Sequence, residues 1–252
     1  MTTVAVAGVK GAGGVTTAAL ALAAATASTG RTMLVEADPS GGSLLATCGP
    51  LRARGDLYDV SLTRNSAGLE SVAQPLGDLL VVPAWGRPFR LMQALVRPRV
   101  PWAVLFGEVD ATVFVDVGRV FPQAPTMGLL AAADVVLLVA ASEPGPVAAT
   151  MEWANRGGCH GAGEIGVSAD RLAMITSEVV GRRRAVTVTP RDLSAVTGAT
   201  YLGHLPHDPD AVELLCRGAS VAHRSLRRSR MVEAATMLAW SLADPARVGG
   251  VR

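Results

Sequence analysis

Between Thr3 and Ala24 the chain passes through three kinds of sequence in quick succession, and that order restricts the folds open to it. Thr3-Val4-Ala5-Val6-Ala7 is a short apolar run that reads as a buried strand. Val9-Lys10-Gly11-Ala12-Gly13-Gly14-Val15-Thr16-Thr17 is a glycine-rich turn. Thr17-Ala18-Ala19-Leu20-Ala21-Leu22-Ala23-Ala24 is a strong helix former. A strand that enters a helix through glycines brings backbone N–H groups and the positive end of the helix dipole to one spot, which suits an anion, and a polyphosphate above all.

The rest of the chain repeats the strand–helix alternation. Apolar runs at Thr32 to Ala37, Asp78 to Ala84, Ala111 to Gly118, Ala133 to Ala140, Leu172 to Thr176 and Thr200 to Asp208 read as further strands. They are apolar throughout instead of alternating, as expected of strands covered on both faces. Helical stretches are predicted at Pro146 to Asn155, Arg191 to Val196, Asp210 to Cys216 and Met231 to Leu242, the last with Met231, Ala234, Ala235, Leu238 and Leu242 as its core stripe. The expected fold is α/β: a single doubly wound, mainly parallel sheet with helices on both faces. One domain over 1–243 and a flexible tail over 244–252 are expected.

The turn keeps only half of the general phosphate-loop pattern of Gly, four residues, Gly, Lys and Ser or Thr. Val9 stands for the first glycine and Val15 for the lysine, while Gly14 and Thr16 are in place. With Lys10 at its start, the loop resembles the deviant Walker A loop of the ParA/MinD family of ATPases, in its degenerate TadZ/CpaE-like form without the loop lysine. Glu36-Ala37-Asp38-Pro39 resembles the family's switch-type segment. Ala111 to Gly118, with Asp116 near its end, resembles a Walker B strand, and Leu205-Pro206-His207-Asp208 resembles the family's Pro-x-Asp turn after the last strand.

The resemblance implies ATP or ADP with Mg²⁺ as ligand. Lys10, Gly11, Ala12, Gly13, Gly14, Val15, Thr16, Thr17, Pro206 and Asp208 would bind the nucleotide, and Thr16, Asp38 and Asp116 the metal. Lys10 and Asp38 are the catalytic candidates, Lys10 by reaching across a homodimer. Two departures stand out. Thr176-Ser177-Glu178 replaces the asparagine that commonly reads adenine, and Val15 removes a charge on which phosphoryl transfer depends. Arg31, Arg87 and Arg90 are the candidates to replace it.

A net charge of +2 neither requires nor excludes a nucleic acid. Arg182-Arg183-Arg184 and the acid-free stretch with Arg224, Arg227 and Arg228 leave three readings open: a solvated face, non-specific DNA binding, or a membrane or protein partner. Cys48, Cys159 and Cys216 are isolated in sequence and lack metal-ligand spacing. The four tryptophans read as packing residues. No run reaches membrane-spanning length, and a cytoplasmic protein is expected, recruited to a pole, membrane surface or nucleoid. The function expected is a positioning or assembly factor, for example for a pilus or secretion ATPase, with weak or no hydrolysis. The alternatives are an active partition-type switch on DNA and a small-molecule ATP-dependent enzyme on the same fold.

Overall fold

The computed structural model describes residues 2–10, 14–84, 88–121, 123–155, 167–178, 199–243 and 248. Among these residues there are eight strands: β1 (Thr3–Gly8), β2 (Thr32–Glu36), β3 (Gln74–Leu76), β4 (Leu79–Val82), β5 (Thr112–Arg119), β6 (Val135–Ala141), β7 (Leu172–Ser177) and β8 (Thr200–Leu205). They form one sheet in the order β3-β4-β2-β5-β1-β6-β7-β8. All pairs are parallel except β3 with β4. The seven parallel strands are those expected from the apolar runs.

β3 was not expected. It is three residues long, carries Pro75 on the exposed edge, and is held by Gln74, whose side chain accepts from the Arg52 N–H at 2.8 Å and donates to the Arg52 carbonyl at 2.6 Å.

Alternation along each strand sorts the apolar residues into two cores. Ala5, Ala7, Met33, Val35, Val113, Val115, Leu138 and Met174 face one way. They are covered by α3 (Leu57–Thr63), α4 (Ser66–Val72), α5 (Pro88–Val96), α6 (Trp102–Gly107), α7 (Met127–Ala132) and α8 (Pro144–Asn155). Val4, Val6, Leu34, Phe114, Leu137 and Ile175 face the other way. There α1 (Val15–Ala27), α9 (Pro209–Cys216) and α10 (Arg230–Leu242) close the core, and α2 (Leu44–Thr47) contributes Leu44. The strands read as unbroken apolar runs because both faces are buried. In α1 the alanines let the helix lie close to the sheet, and Ala18 to Ala23 are buried without exception.

Helices α1, α8, α9 and α10 match the sequence reading within three residues at each end. The helix expected at 191–196 lies outside the described residues. In α10 the buried residues are Met231, Val232, Ala235, Leu238, Ala239 and Leu242, so Val232 and Ala239 join the expected stripe and Ala234 sits at its margin. Trp240 corrects the packing expectation for tryptophan: it is 67% exposed, beside Met237 at 69%. Of the expected tail, Val248 is buried and its carbonyl accepts from the Thr200 hydroxyl, while 244–247 and 249–252 lie outside the described residues.

Cys48 and Cys216 are not isolated in space. Both are buried in the α1-side core, where the Cys216 thiol beside it, and then burial, push the Cys48 thiol well above its ordinary range. Cys159 lies outside the described residues.

Candidate phosphate cleft at the carboxyl ends of the strands

Parallel strands end together on one side of the sheet, and β1, β2 and β5 are adjacent there. Open α/β sheets bind ligands at such ends, where the chain switches direction. A cleft of about 380 Å³ lies at this point, lined by Gly8, Lys10, Gly14, Val15, Thr16, Thr17, Asp38, Ser40, Gly118 and Arg119. The sequence-expected Lys10, Gly14, Val15, Thr16, Thr17 and Asp38 are therefore brought together. Gly11, Ala12 and Gly13 lie outside the described residues.

Gly14 caps α1 in the left-handed region, at φ 70°, where a side chain would be strained. Among the described residues no side chain caps the helix and no acid stands in its first turn, so the leading N–H groups of α1 face the cleft. The Val15 side chain leans back over the strand end: a Cβ added at Gly8 would meet its Cγ2 at 2.8 Å. The place of the expected lysine is thus filled by an apolar group packed on the loop base.

Below this surface lies a buried acidic layer. In register across the sheet, Glu36 pairs with Asp116, and the Ala37 N–H donates to the Asp116 carbonyl at 2.7 Å. Asp116 is fully buried; its Oδ1 accepts from the Gly118 N–H at 3.0 Å, and its Oδ2 has no partner among the described residues. Burial pushes this carboxyl up to about 7. The Thr16 hydroxyl and the Gly118 N–H favour the ionised form, and the charges of Glu36 and Asp38 oppose it. A buried carboxylate oxygen left unpaired beneath a hydroxyl is chemistry that a hard cation would satisfy.

Glu36 is a structural clip that the sequence pattern alone did not identify. Its Oε1 accepts from the Ser43 and Leu44 N–H groups at 2.6 and 2.9 Å, and its Oε2 from the Ala84 N–H at 2.9 Å. Burial raises its pKa, and these three bonds pull it back toward ionisation. Gly42 must be glycine here, because a Cβ would fall 2.1 Å from Oε2. The clip holds both ends of the loop that carries Asp38, whose Oδ1 accepts from the Ser40 N–H at 2.8 Å.

β5 bulges where β1 passes it, between the pairs Val6–Asp116 and Ala7–Gly118, and Gly118 takes φ 63°. Arg119 follows opposite Gly8, and the Val120 N–H donates to the Gly8 carbonyl at 2.8 Å. Sequence reasoning missed Arg119 as a cleft residue. Arg31 precedes β2, at the opposite end of the sheet, and pairs with Glu70 at 2.9 Å. Arg90 is held by Asp56 and Asp59 and lies over the Tyr58 ring at 4.5 Å. Neither lines the cleft, and Arg87 lies outside the described residues.

Asp208 is not among the cleft's lining residues. Its Oδ1 caps α9 by accepting from the Ala211 N–H at 3.0 Å, and its Oδ2 accepts from the Ser229 hydroxyl at 2.6 Å. Pro206 stands just before it, partly buried and also away from the lining. The end of β7 does border the loop, since a Cβ on Gly14 would come 3.9 Å from the Ser177 Oγ. Beyond Ser177, the Glu178 Oε2 accepts from the His207 N–H at 3.0 Å, and Ser142, Thr176 and His204 form a polar cluster across β6, β7 and β8. Burial holds His204 below the ordinary histidine range, and the Glu178 charge opposes it.

Arg224, Arg227 and Arg228 are all exposed, on and beside a short 3₁₀ turn, Leu226–Arg228. Arg182 to Arg184 lie outside the described residues. Among the described residues, no helix is long and apolar enough to cross a membrane.

No family model matches the sequence. No curated protein matches it either. Solved structures do. The cell division ATPase MinD of Pyrococcus furiosus is similar over 96% of this chain and 98% of its own, at TM-score 0.73 and 19% identity. The septum site-determining protein MinD of Pyrococcus horikoshii, complexed with Mg-ADP, is similar over 97% of each chain, at 0.72 and 20%. A ParA family ATPase from Chlorobium tepidum is similar over 95% of this chain and 98% of its own, at 0.70 and 16%. Over most of its length the chain has the fold of these MinD- and ParA-type P-loop ATPases.

Proposed function

We propose that the chain is a nucleotide-binding positioning or assembly factor of the ParA/MinD type, with weak or no ATP hydrolysis, comparable in role to the TadZ/CpaE-like members that serve a pilus or secretion ATPase. One observation carries the reading. The cleft keeps its uncapped helix, Thr16, Asp38 and the unpaired Asp116 oxygen, yet Val15 packs on Gly8 where an ammonium would reach the phosphates. Binding groups are present, and the charge that the loop itself would bring to catalysis is absent.

In this reading the amides of Gly14 to Thr17, with the glycines before them, hold the phosphates of ATP or ADP. Thr16, Asp38 and Asp116 hold Mg²⁺, which would neutralise the phosphate charge. Asp38 orients water and Lys10 serves a homodimer. The Mg-ADP complex of the P. horikoshii protein supports that choice of ligand. Pro206 and Asp208 bind the nucleotide from the turn after β8, where Asp208 also caps α9.

The test is calorimetric titration with ATP and ADP in Mg²⁺, together with a turnover assay. Weak binding and turnover near background are expected, since one misplaced charge costs on the order of 10²–10³ in rate. Turnover that matches intact ATPases and disappears in Asp38→Ala would overturn the non-catalytic reading.

A second reading, non-specific DNA binding by a partition-type switch, is favoured by the exposure of Arg224, Arg227 and Arg228 in a stretch without acids.

A further inference from the structure

We propose that Arg119 supplies the phosphate-binding charge that the loop lacks, its guanidinium meeting the β- and γ-phosphates from the β5 side of the cleft within the same subunit. This rests on the nucleotide reading above and adds to it a residue outside the glycine-rich loop.

Four observations converge on Arg119. It lines the same cleft as Lys10, Thr16 and Asp38. Its backbone is fixed: Arg119 is in register with Gly8, the bulge and the positive φ of Gly118 turn the chain just before it, and the Val120–Gly8 hydrogen bond secures it just after. Its Nε donates to the Val9 carbonyl at 3.3 Å, so the side chain stands on the first residue of the loop with its two terminal nitrogens carried beyond that anchor. No carboxylate among the described residues pairs with it, in contrast to Arg31, Arg90 and Arg217.

Charge balance explains why an arginine is needed there. Asp38 and the buried Asp116 and Glu36 make the floor of the cleft acidic, and an approaching polyphosphate is repelled unless cations offset them. Among the described residues, Lys10 and Arg119 are the cations that line the cleft. The Lys10 Nζ is drawn toward the start of α8, 3.8 Å from the position of a Cβ on Gly145. That leaves the loop side, where position 15 would ordinarily act, to Arg119. A planar guanidinium with paired donors matches the geometry of phosphate oxygens.

The experiment is calorimetric titration of the full chain with ATP, ADP and AMP, comparing wild type, Arg119→Ala, Arg119→Lys and the double variant Arg119→Ala/Val15→Lys, each checked for a native circular-dichroism spectrum and Tm. Arg119→Ala is expected to weaken ATP and ADP binding by about 10- to 100-fold, the usual range for losing a charged hydrogen-bond partner, and to leave AMP unchanged. Arg119→Lys should recover part of the loss, and lysine at position 15 most of it. If wild type binds ATP and Arg119→Ala binds it equally well, or loses AMP in equal measure, the assignment of Arg119 is wrong while the nucleotide reading stands. A wild-type chain that binds none of the three overturns the nucleotide reading itself.

Discussion

The Asp38 carboxylate rests on the bare α-carbon of Gly118, where an added Cβ would lie 2.2 Å from its Cγ. Two segments that are distant in sequence, the loop after β2 and the bulge of β5, therefore depend on each other. Gly118 serves twice, by adopting φ 63° and by leaving room for the acid.

Gly118→Ala should therefore do two things at once. The left-handed backbone alone costs about 1–2 kcal/mol for a residue with a Cβ, and displacing Asp38 adds to it. A Tm lower by several degrees is expected in a chain of this size. Mg²⁺-dependent nucleotide binding should weaken further than stability alone explains. Thermal melts and titrations on the same sample check both, and a variant with unaltered Tm contradicts the close approach.

The Asp116 carboxyl gives a pH dependence with a definite sign. Its folded pKa, raised to about 7, lies above the ordinary value of 3.8. The folded state retains the proton that the unfolded chain has already released, so stability from this group is full below about 4 and is lost as pH rises to about 7. Asp116→Asn should match wild type near pH 4 and exceed its Tm increasingly up to pH 7, with a constant gap above. Ionisation also prepares the cation site, so Mg²⁺-dependent binding should strengthen over the same interval. Melts across pH 4–9 that show a constant gap would contradict this account of the buried acid.

The exposed arginines separate the DNA reading from a solvated face. If they meet phosphates, wild type should shift random duplex DNA at low salt and release it steeply as salt rises, through counterion release. Replacing Arg224, Arg227 and Arg228 together by Glu should abolish the shift while leaving Tm within about a degree, because all three side chains are exposed. Absence of any shift by wild type at low salt removes this reading.

Much of the sheet was legible in the sequence because burial on both faces leaves a simple trace, an apolar run such as Val135–Ala141 bounded by polar residues. The loop was legible because glycines between strand and helix have few other uses. What escaped was set by register. Nothing local in Gly118-Arg119 says that the chain bulges there and that Arg119 falls opposite Gly8. Glu36 was visible as an acid at a strand end, but its three amide partners come from residues up to Ala84. The nearness of Cys48 and Cys216 likewise depends on α9 returning to the α1 face. Edge strand β3 was missed because three residues with a central proline carry no strand signal.

Glu36 also limits how the molecule can move. The loop that bears Asp38 leaves the sheet at Ala37, bonded to Asp116, and returns at Ser43, bonded to the carboxylate of Glu36. Both ends are moored to the same pair of neighbouring strands, like a bowstring whose ends are tied to one stave. Such a string can flex at its middle without drawing the stave along. A response that begins at Asp38 is then a short local stroke, felt first at Gly118 of β5, on which the carboxylate rests, and by whatever touches the face of the cleft.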